Sequence, residues 1–87
     1  MSDDLPTTQP VPLADWLRDL GDVLGLSDGV TEEEQAALLD IARIAAHTSE
    51  RVAAPLTTFM AGIACAKLPA SERGPALRSL AGQLEAK

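Results

Sequence analysis

The stretch that decides the fold is Ala45–Lys67, A-A-H-T-S-E-R-V-A-A-P-L-T-T-F-M-A-G-I-A-C-A-K. Pro55 stands between two apolar runs of helical spacing; its ring removes a backbone donor and disfavours helix at the preceding residue. The reading is helix, then a break near Val52–Ala54 with Ala54 extended, then a new helix opened by Pro55, where a missing N–H costs little. Short connections on either side favour a full reversal of the chain over a kink in one rod.

Upstream of the break, Ala37, Leu38, Ile41, Ile44, Ala45 and Thr48 share one wide face, with Leu39, Ala42 and Ala46 at its flank. A helix apolar over so much of its circumference belongs between others. Thr31 and Glu34 form a T-x-x-E capping box, and Glu32 and Glu33 add negative charge where a helix N-terminus is partly positive. The predicted helix runs Glu32–Ala53. Helix-start chemistry accounts for the acidic triplet and is preferred to a metal or a basic partner. Asp40, Arg43, His47, Glu50 and Arg51 line one side in i,i+3 and i,i+4 relation, a pattern read as a solvated face.

Downstream, Leu56, Phe59, Met60 and Ile63 make a large apolar face of a helix predicted at Pro55–Lys67. Thr58, Gly62 and Ala66 make a line of small residues. Glycine in mid-helix costs about 1 kcal/mol relative to alanine, so a tight helix crossing is expected at Gly62. A further helix is predicted at Glu72–Glu85, with Pro75 admissible only near its first turn.

Before the capping box, Leu13, Trp16, Leu17, Leu20, Val23 and Leu24 fall on one face of a helix predicted at Pro12–Leu24, with Asp15, Arg18, Asp19 and Asp22 opposite and Gly25 as its stop. Trp16 is either a core anchor or a partner-binding anchor, and the clean stripe favours the core. Ser27, Asp28 and Gly29 signal a turn. Residues 1–11 carry two prolines and no periodicity, and read as a flexible leader. The expected architecture is all-α: a compact four-helix domain over residues 12–87 behind a disordered N-terminal leader.

Composition agrees. Aromatics are 2% of the chain against 46% apolar residues, so leucine, isoleucine and alanine must build the core, and these favour helix. In 87 residues such a core supplies only about 3–5 kcal/mol, which makes self-association an expectation. The one cysteine cannot form an internal disulfide, and there is neither a signal peptide nor an 18-residue apolar run; cytoplasmic placement away from membranes is expected. Residues 1–34 hold nine acids against Arg18 alone, whereas the remainder carries +2. An acidic field of this kind argues against nucleic acid as a partner.

Candidate chemistry is sparse. His47 is the sole imidazole, Cys65 sits in a run of small apolar residues where thiols are inert, and no metal-ligand spacing or phosphate loop exists. No catalytic residue, metal or cofactor is expected, and the chain reads as a non-enzyme. One arrangement could hold a phosphate or carboxylate: free N–H groups of Leu56, Thr57 and Thr58 at a new helix start, beside His47 and Arg51. The preferred alternative has His47 and Arg51 bonding the last carbonyls of the preceding helix, or pairing with Glu50 and the acidic first helix.

The order L-A-D-W-L near the start, followed by L-L-D-I-A-R-I-A-A-H-x-x-E-R-x-A-A-P-L-T-T-F-M-A-G-I-A, resembles an uncharacterised family of small bacterial helical domains. Members of that family occur alone or joined to a nucleotidyltransferase like the guanylyltransferase that completes the molybdenum cofactor. The resemblance covers about residues 13–68 and is carried by Asp15, Trp16, Leu17, His47, Arg51, Pro55, Leu56, Thr57, Thr58 and Phe59. It implies a non-catalytic interaction or accessory module near molybdopterin-guanine dinucleotide biosynthesis, with a protein partner, a nucleotidyltransferase or a second copy. It transfers no catalytic residue, and the glycine-rich nucleotide loop of the transferase has no counterpart here. A small-anion or nucleotide-phosphate site at His47, Arg51, Thr57 and Thr58 is the alternative.

Overall fold

In the computed structural model, which describes residues 10–26 and 28–87, four helices follow one another: α1 Leu13–Leu24, α2 Glu32–Thr48, α3 Ala53–Cys65 and α4 Ala70–Glu85. No strand occurs among the described residues. The expected leader falls mostly on residues 1–9, and part of the expected turn on Ser27; both lie outside the described residues.

The capping box forms as expected. The Glu34 N–H donates to Thr31 Oγ1 at 3.1 Å, and the Thr31 N–H donates to Glu34 Oε1 at 2.7 Å. From there α2 runs through the middle of the molecule, packing on both α3 and α4. Its Ala37 and Ile41 share one buried cluster with Ala61 and Cys65 of α3 and Leu77 and Ala81 of α4. A single rod would separate Ala37 from Cys65 by about 40 Å, at 1.5 Å per residue. The chain therefore reverses between α2 and α3.

The break lies earlier than the sequence reading places it. α2 ends at Thr48, not Ala53, and α3 opens at Ala53, so that Pro55 is its third residue and Ala54 is helical, not extended. The physical reason is that the first turn of a helix has N–H groups without intrahelical partners. Proline is harmless at any of those positions, so the helix can begin upstream of it.

Pro75 corrects a second expectation. It is the sixth residue of α4, beyond the first turn, where it forgoes one hydrogen bond. Gly74 immediately before it is buried and has no Cβ to crowd the proline ring. The Glu33 side chain of α2 occupies the space a Gly74 side chain would need.

α2 and α4 run parallel, and their contact is edged with ion pairs. Arg73 Nε reaches Glu34 at 2.6 Å, Arg78 Nη1 reaches Asp40 at 2.6 Å, and Arg43 Nη2 reaches Glu85 at 3.1 Å, so positions advance together along both helices. The stripe read as a solvated face is therefore, at Asp40 and Arg43, one side of the α2–α4 contact.

α1 departs most from expectation. Its C-terminus closes as a Schellman motif, with Gly25 at φ 71° and the Leu26 N–H donating to the Gly21 carbonyl at 2.9 Å. Yet it packs on none of the other helices and buries no residue. Trp16, expected in the core, is 54% exposed.

Candidate functional site

α3 is a helix of small and large sides, and it turns the small side inward. Ala61 and Cys65, four residues apart, bury against α2 and α4. The opposite side leaves Leu56, Phe59, Met60 and Ile63 between 59 and 69% exposed. Nothing lies within 4 Å of where a Gly62 side chain would stand. The tight crossing expected there does not exist: the core crossing is made at Ala61 and Cys65, one residue to one side and three to the other.

The outward side of α3 forms one wall of an open groove of about 1040 Å³, with Phe59, Gly62 and Ile63 facing it. Leu20 and Leu24 of α1 line it from elsewhere in the fold, and Leu38 and Leu77 also contribute. Its lining is predominantly apolar. Its polar members are Asp28, Thr58 and the Glu34–Arg73 pair.

Glu34 is the one buried charged residue among those described. Burial alone would raise its carboxyl, but the hydrogen bond from Arg73 and those from Thr31 outweigh it and hold the group below its ordinary value. Both carboxylate oxygens are used, Oε1 by the Thr31 N–H and Oε2 by Arg73 Nε. The same pairing raises Arg73. Arg78 likewise lowers exposed Asp40, chiefly by its hydrogen bond. Sequence reading found Glu34 as a cap and missed Arg73, because nothing in one sequence links residues 39 apart.

The residues singled out for anion binding are placed otherwise. His47 is on the exposed last turn of α2, and Arg51 is exposed in the following turn. Neither makes a side-chain hydrogen bond or ion pair among the described residues, to the end of α2, to Glu50 or to α1. Because α3 starts at Ala53, the N–H groups of its first turn are already committed. Those of Ala53 and Ala54 donate to the Glu50 and Arg51 carbonyls at 2.9 and 3.1 Å, and Pro55 has none. Leu56, Thr57 and Thr58 fall past the positions that lack intrahelical acceptors. Thr57 and Thr58 are partly buried, and Thr58 Oγ1 donates to the Pro55 carbonyl at 3.0 Å. Cys65 is buried in the cluster of Ala37 and Ile41, which stand about 15 and about 9 Å of helix rise before His47 on α2, so the two are not brought together. Trp16 stands one turn before Leu20 on the exposed stripe of α1.

Among the described residues no three of His, Cys, Asp or Glu gather as metal ligands would, and no helix is long and apolar enough to cross a membrane. Fold and groove together define an all-helical domain with a three-helix core and an open apolar face. The chain belongs to the family described as domain of unknown function DUF6457, whose pattern matches residues 8–87. This agrees with the resemblance to an uncharacterised family. No curated protein and no solved structure matches the chain.

Proposed function

We propose that this chain is a non-catalytic docking module of the cytoplasm, binding a protein through the apolar groove between α1 and α3. The observation that carries the reading is the exposure of Leu20 and Leu24 on α1 and of Phe59 and Ile63 on α3 around one open groove, with exposed Trp16 one turn before Leu20 on the same stripe. Monomeric proteins rarely leave contiguous apolar patches of that extent uncovered. The partner we propose is a nucleotidyltransferase of the molybdenum-cofactor guanylyltransferase type; its support is the A-H-x-x-E-R-x-A-A-P-L-T-T-F order of residues 46–59. The groove's own chemistry asks only for an apolar protein surface.

Trp16 is the chain's only tryptophan and a built-in reporter. Titrating the chain with such a transferase should shift Trp16 emission to the blue in a saturable way. The response should be lost in Phe59→Glu and kept in Arg51→Ala. A transferase that binds neither form would end the pathway assignment. The anion alternative at His47, Arg51, Thr57 and Thr58 draws less support, since α3 starts at Ala53 and Thr57 and Thr58 lie beyond its first turn. A rise in Tm with pyrophosphate or a guanine nucleotide, absent in Arg51→Ala, would favour it instead.

A further inference from the structure

An α-helix of 12 residues is marginal in water unless tertiary packing supports it. α1 has that length and packs on no helix of its own chain. It shows Leu13, Trp16, Leu20, Val23 and Leu24 to solvent, from 36% exposure at Leu20 to 81% at Val23. α3 shows Leu56, Phe59, Met60 and Ile63. Such a helix calls for a cover, and so does such a face.

We propose that the cover is a second copy of this chain, in a two-fold dimer where α1 of each protomer lies against α3 of the other. The inference rests on the reading of these faces as docking surfaces and names the occupant they take while no transferase is bound, so that the transferase would compete with the second copy.

Area is the first argument. A large apolar side chain presents on the order of 200 Å², so the five on α1 and four on α3, about six-tenths exposed, offer on the order of 1,000 Å² per protomer. A stable interface takes about 800 Å² from each partner. The largest patch on a monomer is about 300–600 Å².

Charge selects the pairing. The flank of α1 holds Asp15, Asp19 and Asp22 against Arg18, so two α1 helices laid together would repel. α3 carries no charge from Ala53 to Cys65; Glu50 and Arg51 precede it and Lys67 follows it, so its flanks sum to +1. An acidic-flanked apolar helix against an apolar helix with uncharged sides and a weakly positive surround avoids the repulsion that two α1 helices would meet. Two-fold symmetry then makes it twice, because each copy supplies both surfaces.

The test is the mass of the full chain by light scattering, from about 1 μM to about 100 μM, a range that brackets a micromolar dissociation constant. Twice the 9.1 kDa chain mass is expected, with Trp16 emission moving to the blue as the dimer fills. Trp16→Glu and Phe59→Glu should each give monomers, and both side chains are exposed enough for helicity and Tm of the dilute protein to survive. Mixed together, the two variants should associate, since one intact α1 can meet one intact α3. A monomer throughout the range would overturn the dimer, as would a dimer indifferent to Phe59→Glu. The transferase titration separates the two readings: a monomer that binds the transferase removes the dimer alone, and a dimer that ignores it removes the proposed partner alone.

Discussion

α1 and α2 are both amphipathic helices with one end closed by a capping motif, the C-terminus of α1 and the N-terminus of α2, and they have opposite fates. α1 divides apolar from polar residues more cleanly, yet none of its side chains is buried. α2 divides them less cleanly and buries Glu34, Ala37, Ile41, Ile44 and Ala45. What distinguishes them is reach. α2 has small or branched residues on two sides, so two helices can approach it at once, and it has acids placed to meet arginines of α4. α1 has one strong stripe, and the sides of its neighbours that could take such a stripe are already used or belong to the open face of α3. A sharp stripe states that a helix needs a cover; it does not state which surface supplies it.

The largest way to break this comparison is through Ile41, which has no exposed surface. Ile41→Ala should cost about 3 kcal/mol of unfolding free energy, lost transfer energy plus an unfilled cavity. Val23→Ala on α1, where the side chain is 81% exposed, should change the stability of dilute protein by less than about 0.5 kcal/mol. Urea titrations of the two variants side by side measure the difference. Equal costs would mean that α1 is buried after all.

Next in size is the partly buried ion pair of Glu34 on α2 and Arg73 on α4. Glu34→Ala removes a cap and leaves Arg73 without its carboxylate, at about 2 kcal/mol in all. Its pH dependence has a definite sign. The folded protein holds the Glu34 carboxyl below its ordinary 4.5, so the stabilisation is complete above that value and fades as pH falls through the lower folded value. Acid titration of stability should therefore be shallower in Glu34→Gln than in the native chain, with Asp40 contributing part of the remaining slope through Arg78.

These two experiments fall on features of unequal legibility in the sequence. The capping box and Gly25 were legible because each signal lies within a few residues, and local hydrogen bonding decides it. The all-helical class was legible because alanine and leucine dominate the apolar residues. Illegible was everything set by which helix meets which. The clean stripe of Trp16 points to a core, but a stripe carries no address. The line of small residues through Gly62 points to a crossing there, but Ala61 and Cys65 offer an equally small side and face the core. His47 and Arg51 stand beside open N–H groups only if Pro55 is the first residue of α3, and its start two residues earlier moves the first turn to Ala53, Ala54 and Pro55.

The third experiment acts on α1 alone. Gly25 holds φ 71°, a conformation that costs a residue with a Cβ about 1 kcal/mol. Gly25→Ala should lower the helicity of α1 and speed amide exchange over residues 13–24. Exchange in α2 should not change in the dilute monomer, because α1 passes no packing energy to it. Loss of protection in both helices together would show that they open as one unit.

The smallest effect is also the one with a reversed sign. A glycine kept for a tight crossing would make Gly62→Ala destabilising, because the added methyl would push two helices apart. In this fold nothing stands within 4 Å of that methyl, and the same holds at Gly82 on α4. Gly62→Ala should then stabilise dilute protein by about 0.5–1 kcal/mol, through helix propensity alone. Gly82→Ala, also exposed, should gain about as much. Thermal unfolding of both variants decides the matter. A gain at Gly82 with a loss at Gly62 would place a close neighbour against α3, and since no helix of the same chain stands there, that neighbour would have to come from another molecule.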